Sequence, residues 1–113
     1  MTDPQAVLPL TEELFREIRK RIVDAFAPER VILFGSYAEG QATADSDLDL
    51  LVVTERPVSR KERLARTQDL FRELSLPVQV ITISRQEFEE TRDVIGSIAY
   101  PASKYGRVIY EKS

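Results

Sequence analysis

Aspartates at alternate positions, Asp45, Asp47 and Asp49, lead into an apolar run, and a Gly-Ser pair stands upstream at positions 35 and 36. Side chains alternate across a strand, so we expect Asp47 and Asp49 to share a face and to reach the open end of that strand. Two carboxylates at such a short distance repel each other, and a divalent cation between them removes the repulsion. Mg²⁺ takes one or two carboxylates together with substrate phosphates and waters. The spacing therefore predicts a magnesium site at Asp47 and Asp49.

The Gly-Ser pair is suited to binding phosphate. Gly35 lets a ligand approach the backbone closely, and Ser36 offers a hydroxyl group. The backbone N–H groups that follow can form an anion-binding nest or a helix start. Together with the two aspartates, this pair predicts a nucleoside triphosphate that is held through Mg²⁺. Asp45 is interpreted as a loop cap.

Other interpretations of this stretch fit less well. An EF-hand calcium loop needs glycine and glutamate where this chain has Leu50 and Arg56. A phosphate loop needs a Lys-Ser/Thr pair that is absent after Gly40, and Tyr37 interrupts a dinucleotide-binding G-x-G. A solvated strand end with turn-forming aspartates stays open as the alternative without chemistry.

Composition narrows the possible chemistry. The 113 residues are 42% hydrophobic and 31% charged, which predicts a single folded domain over 11–113 after an extended lead-in over 1–10. The net charge of −3 argues against direct nucleic-acid binding. Without cysteine or histidine, chemistry must use carboxylates, hydroxyls, amines or a metal. Neither a secretory signal nor an apolar segment of membrane-spanning length is present, so we expect a cytoplasmic protein and no membrane partner.

Periodic apolar residues predict the elements that must position the site. Strands are predicted at 30–35, 47–53, 76–83 and 107–110. A first helix is predicted from the N-cap Thr11, with a buried face of Leu14, Ile18, Ile22 and Phe26. Ser59 is expected to cap a second helix that carries Leu64, Gln68, Phe71 and Leu74 or Ser75. Its basic run of Arg60, Lys61, Arg63 and Arg66 is interpreted as a solvated face.

A capping box at 84–87 predicts the third helix, which Gly96 and Pro101 break or kink. Its expected apolar face carries Phe88, Thr91, Ile95 and Ile98. The resulting order α-β-β-α-β-α-β predicts an α+β (mixed α/β) fold, with a small mixed sheet of about four strands and helices packed on it.

The chain resembles a known family at this motif. Gly35-Ser36, ten residues and Asp47-Leu48-Asp49 are similar to the GS-x10-D-x-D motif of nucleotidyltransferases related to DNA polymerase β, and the chain's length is similar to that of their minimal branch. The resemblance extends over roughly residues 12–111, including the tail "IAYPASKYGRVIYE". It implies a nucleotidyltransferase fold in which Asp47 and Asp49 bind Mg²⁺ as catalytic residues, and the Gly-Ser turn binds the β- and γ-phosphates.

The resemblance also implies a reaction and a partner. An acceptor hydroxyl attacks the α-phosphate, and pyrophosphate leaves. Members of this branch often pair with a HEPN-domain toxin and transfer AMP from ATP to a toxin tyrosine, so this chain is expected to be an antitoxin. ATP is the implied substrate and Mg²⁺ the implied cofactor, in a two-ion site.

The chain departs from the family at the third carboxylate, because Gln79 stands where an acid is expected on the neighbouring strand. An amide cannot act as a base and is a weak Mg²⁺ ligand, so the second ion loses an anionic ligand. Three hypotheses stay open: an adenylyltransferase, a weakened or inactive antitoxin that neutralises its partner by binding, and transfer to a small molecule. Gln79 could equally be a solvent-facing residue, or reflect a shifted strand register.

Overall fold

The structure is a computed structural model that describes residues 11–43, 45–74 and 76–113. The lead-in predicted over 1–10 lies outside the described residues, as does Ser75. Within them, the elements follow one another as α1 (Glu12–Phe26), β1 (Arg30–Phe34), β2 (Leu48–Thr54), α2 (Arg60–Thr67), β3 (Val78–Ser84), α3 (Arg85–Thr91), α4 (Ala99–Tyr105) and β4 (Arg107–Glu111). No helix of these residues has both the length and the apolar character needed to cross a membrane.

The strands form one mixed sheet in the order β3-β2-β1-β4. Strand β1 is antiparallel to both β2 and β4, whereas β2 and β3 are parallel. A parallel pair needs a long crossover, and α2 with the turns after it provides this connection. The α+β prediction of a small mixed sheet with packed helices is confirmed.

The sheet is covered by helices on both faces because consecutive residues of β2 are apolar and point alternately to its two sides. Its even-numbered residues pack against α1, in a cluster that contains Ile18, Ile22, Phe26, Leu48, Leu50 and Val52. Its odd-numbered residues pack against α3 and α4, in a cluster that contains Leu51, Val53, Phe88, Ala99 and Ala102. Since side chains alternate, Asp49 belongs to the α3–α4 face.

Helix α1 begins where its sequence predicts. The Oγ1 atom of Thr11 accepts a hydrogen bond of 3.1 Å from the backbone N–H of Leu14, which makes Thr11 the N-cap. Ala27 adopts a left-handed conformation at φ 45° and ends the helix. Ile18 and Ile22 are completely buried.

The predicted second helix is too long. Helix α2 ends at Thr67, none of its residues is buried, and Leu64 is 51% exposed. Continued helical spacing would place Gln68 on the apolar stripe and turn Leu70 away from it. Turns after Thr67 instead let Leu70, Phe71 and Leu74 all pack against the α1 side of the core.

The predicted third helix is two helices. Helix α3 ends at Thr91, residues 92–98 form turns and bends, and α4 begins at Ala99. Gly96 has a φ of +101°, which no helix contains, and Ile95 is 81% exposed rather than on an apolar face. Pro101 lies in the first turn of α4, where a missing N–H costs no helical bond. The element order is therefore α-β-β-α-β-α-α-β.

Candidate active site

The Gly-Ser turn and the aspartates meet at one end of the sheet. Strand β1 ends at Phe34, which lies opposite Asp49 in the antiparallel register of β1 and β2. Gly35 follows with a φ of +77°, and its carbonyl oxygen accepts hydrogen bonds from the N–H groups of Ala38 and Glu39. The chain thus turns sharply beside the first residues of β2.

The carboxylate of Asp49 lies directly against Gly35. A Cβ atom placed on Gly35 would collide with Oδ2 of Asp49, and Cγ of Asp49 would be 3.3 Å away. Position 35 therefore requires glycine for two reasons: its backbone is left-handed, and the carboxylate occupies the space that a Cβ atom would need. This contact fixes where the acid stands relative to the turn.

Asp47 and Asp49 interact electrostatically, as their spacing predicts. The pKa of Asp49 is raised above its ordinary value, chiefly because burial penalises the charged form and also because Asp47 is near. Asp49 is half-buried and Asp47 is exposed. A divalent cation would relieve both causes by supplying opposite charge, so the pair fits one such ion together with substrate oxygens.

Gln79 lies next to Asp49, opposite it in the parallel register of β2 and β3. Paired residues on neighbouring strands share a face, so the exposed Gln79 stands on the same side of the sheet as Asp49. Among the described residues, no group of three or more acids could hold a metal ion. The site consists of two carboxylates and an amide, which fits one ion better than two.

The segment before Asp47 is organised by residues that the sequence analysis did not single out. Ser46 Oγ accepts a hydrogen bond of 2.8 Å from the backbone N–H of Thr43, and the N–H of Ser46 donates back to the Thr43 carbonyl at 3.1 Å. Ser and Thr side chains that bond to nearby backbone are a recognisable turn signal. Asp45 lies exposed within this turn, and the side-chain hydrogen bonds of the turn among the described residues are formed by Thr43 and Ser46. Its interpretation as a loop cap stays a prediction.

Comparison with known proteins gives the family. The family model of the nucleotidyltransferase domain matches residues 15–103. Two proteins of Methanocaldococcus jannaschii, both provisionally named protein adenylyltransferases, are 34% identical over 73 residues and 28% identical over 71. Each alignment covers 63% of this chain, and 73% and 72% of the respective relatives.

Solved structures share the fold at low sequence identity. A toxin–antitoxin complex with AMP-PNP contains a chain with a TM-score of 0.65 and 20% identity, covering 88% of this chain and 74% of that one. A complex of the tri-AMPylated Shewanella oneidensis HEPN toxin with MNT antitoxin gives 0.58 and 18%, covering 87% and 70%. A provisionally named nucleotidyltransferase from Sulfolobus solfataricus gives 0.58 and 17%, covering 88% and 82%. The domain match, together with the glycine turn and the acid pair at one sheet end, shows that this chain belongs to the nucleotidyltransferase domain family.

Proposed function

We propose that the protein is a Mg²⁺-dependent nucleotidyltransferase of the cytoplasm that moves AMP from ATP to a tyrosine hydroxyl of a HEPN-type toxin and thereby acts as its antitoxin. The observation that carries this proposal is the Asp49 carboxylate held against Gly35, next to Asp47. The names of the M. jannaschii relatives support AMP as the group that is transferred. The names of the structural neighbours support the nucleotide and the class of partner.

Each residue of the site has a proposed task. Gly35 leaves the backbone accessible, and the Ser36 hydroxyl and the turn's N–H groups would bind the β- and γ-phosphates. Asp47 and Asp49 would hold Mg²⁺, which supplies the positive charge that neutralises the phosphates. The half-buried position of Asp49 orients this charge toward the turn.

The proposed transfer exchanges one bond at the α-phosphorus. The acceptor oxygen bonds to the α-phosphorus, and the bond to the oxygen that bridges the α- and β-phosphates breaks. Pyrophosphate leaves with that electron pair. Gln79 has no basic atom, so the proton of the acceptor hydroxyl passes to water rather than to a residue at this position.

Gln79 favours a second candidate, a weakened or inactive nucleotidyltransferase-fold antitoxin that blocks its partner by contact. General-base assistance is worth about 10²–10⁴ in rate, and the described site has no third acid to supply it. Nucleotide binding would persist in such a protein because Gly35, Ser36, Asp47 and Asp49 are all present.

One experiment separates the two candidates. The protein is mixed with isotopically labelled ATP, Mg²⁺ and the protein encoded beside it, and the partner is examined for a mass gain of one AMP. Transfer predicts this gain, its loss in Asp47→Asn/Asp49→Asn, and its retention in the control Asp45→Asn. Gln79→Asp is expected to raise the rate by about a hundredfold. No mass gain, together with undiminished partner binding by the double variant, would establish inhibition by contact instead.

A further inference from the structure

A groove of about 160 Å³ lies between the N-terminal part of α1 and the beginning of β4. Three guanidinium groups line it, those of Arg16, Arg19 and Arg107, and we call it the arginine groove. Glu12 is the carboxylate among its lining residues. The groove is thus locally basic in a chain whose net charge is −3, which indicates an anionic ligand rather than a general property of the surface.

Two of these guanidinium groups are held in place by neutral neighbours. The Arg107 guanidinium lies over the Phe15 ring, 5.8 Å from its centroid, and Nη1 of Arg19 donates a hydrogen bond of 3.4 Å to the Ile109 carbonyl. Within the described residues, neither Arg19 nor Arg107 forms an ion pair with a carboxylate. Their charges are therefore positioned but not neutralised.

Arg16 is the third charge of the groove and is weakly engaged. Its Nη2 lies 3.9 Å from Glu12 Oε2, and the two side chains are 67% and 95% exposed. Such an exposed pair contributes little and is easily exchanged for another partner. Arg16 is therefore free to turn toward a ligand without a loss of packing.

The groove opens at the same end of the sheet as the candidate active site. Arg107 is paired with Leu33, two residues before Gly35, and Phe15 packs on the same core as Tyr37 of the glycine turn. The groove lies on the α1 face, whereas Asp49 lies on the α3–α4 face. A molecule in the groove would therefore be near the active site without covering it.

The surroundings of the groove suit a segment of protein. Strand β4 is the last strand in the order of the sheet, and Val108 on it is 51% exposed. An extended peptide can pair with such an edge while its side chains reach the groove. Arginine forks match carboxylates bidentately. A nucleic acid would extend beyond the groove over the rest of a chain whose net charge is −3, whereas a short acidic segment would not.

We propose that the arginine groove docks an acidic segment of the protein acceptor. Carboxylates of this segment bind Arg16, Arg19 and Arg107, and the segment's backbone runs along β4. This inference rests on the proposed function for the identity of the occupant, and its role is to select the acceptor. Docking lowers the KM for the acceptor protein and does not change the affinity for ATP.

The test measures the groove with a defined probe. Binding of a labelled oligoglutamate peptide is followed by fluorescence anisotropy, with an oligoglutamine peptide of equal length as the neutral control. Arg19→Gln/Arg107→Gln is expected to weaken oligoglutamate binding by at least about tenfold, because two charge-assisted contacts are lost. The matched control Arg60→Gln/Lys61→Gln removes the same charge from α2 and is expected to change binding by less than about twofold.

Several outcomes would overturn the inference. Wild-type protein that binds neither peptide, or equal losses in both double variants, would show that no docking site exists here. A single-stranded oligonucleotide or pyrophosphate that binds with the same arginine dependence, while oligoglutamate does not, would assign the groove to phosphates. If thermal unfolding shows that Arg19→Gln/Arg107→Gln is not folded, Arg16→Gln decides, because this side chain is 67% exposed.

Failure of the proposed function has a different signature. Binding of a fluorescent ATP analogue with Mg²⁺ is measured on the same variants and is expected to be unchanged by the groove substitutions. Absence of ATP binding in the wild-type protein would refute the proposed function, whereas the peptide titration alone decides the groove. With the full acceptor, Arg16→Gln is expected to raise KM and leave kcat unchanged.

Discussion

Gly35→Ala tests the contact on which the candidate site depends, and Gly40→Ala is its matched control. Both glycines have left-handed backbones, with φ of +77° and +71°. An added Cβ at Gly35 would collide with Oδ2 of Asp49. A Cβ at Gly40 would meet no atom of the described residues within 4 Å, apart from its own neighbours in the chain. The two substitutions therefore share the backbone penalty and differ in the collision.

The backbone penalty gives the expected loss of stability. Alanine in a left-handed conformation costs roughly 1–2 kcal/mol, so both variants should lose about that much free energy of unfolding. The atom that collides with the new Cβ is the end of an Asp side chain, which can swing away, so Gly35→Ala should be only slightly less stable than Gly40→Ala. Swinging away, however, removes the carboxylate from the turn. We expect nucleotide transfer to fall about a hundredfold in Gly35→Ala alone.

A double-mutant cycle makes the contact itself measurable. Asp49→Ala leaves Cβ of residue 49 at 3.5 Å from the methyl group that Gly35→Ala adds, an ordinary contact. Gly35→Ala should therefore cause a smaller loss of Mg²⁺-ATP binding when Asp49→Ala is already present, and the loss that remains reflects the approach of the phosphates to the Gly35 backbone. Urea unfolding and titration with a fluorescent ATP analogue on the four proteins of this cycle, with Gly40→Ala beside them, provide the data. Equal binding losses in Gly35→Ala and Gly40→Ala, or additive losses in the cycle, would refute the contact.

Three further predictions concern stability and use urea unfolding. Phe88→Ala should cost about 3–5 kcal/mol because Phe88 is 1% exposed, whereas Ile95→Ala, at a residue 81% exposed, should stay within about 0.5 kcal/mol; similar losses would contradict the packing of α3. Ser84→Ala should cost about 1 kcal/mol, since Ser84 Oγ accepts from Glu87 N–H at 3.1 Å; an unchanged value would argue against this cap. Burial, with the charge of Asp47, raises the pKa of Asp49, so the folded state of the metal-free protein binds more protons than the unfolded state. Its free energy of unfolding should therefore fall as pH rises from the unfolded pKa through the folded pKa. Asp49→Asn should reduce this slope of unfolding free energy against pH, and an identical slope in the variant would contradict the pKa shift.

The sequence predicted the elements whose signals are local. Helix α1 has a capping residue and one unbroken apolar stripe, and the strands alternate or are uniformly apolar. The failures lie where packing competes with periodicity. Leu70 reaches the core together with Phe71 only if the helix stops at Thr67. The turns after Thr91 leave Ile95 in solvent although its spacing from Phe88 matches a helical face. Where these helices end depends on which apolar face of the sheet their side chains can reach. A local sequence pattern carries no information about that face.

The candidate site divides in the same way. The neighbourhood of Gly35 and the two aspartates followed from one motif. The end of β1 and the beginning of β2 lie at the same edge of the sheet because the two strands pair antiparallel, although residues 35–47 connect them. The proximity of Arg107 to this end could not be predicted, since it depends on the register of β4 against β1, between residues far apart in sequence. Thr43 and Ser46 are a sequence signal for the turn before Asp47, because Ser and Thr side chains bond to nearby backbone groups.

The register of β3 decides whether Gln79 is a true substitution at the third acid position. Val78 and Val80 pack on the α1 side, and Ile83 is buried on the α3–α4 side, so every second residue of β3 is committed to one of two apolar faces. A slip of one residue would turn Gln79 into the α1 side of the core and move Val80 beside Asp49. The amide would then be buried against apolar residues, which costs free energy, while two valines would lose apolar contacts. The observed register therefore has a physical cause, and the fold itself places Gln79 beside Asp49. Any nucleotide transfer by this protein has to proceed with an amide at this position.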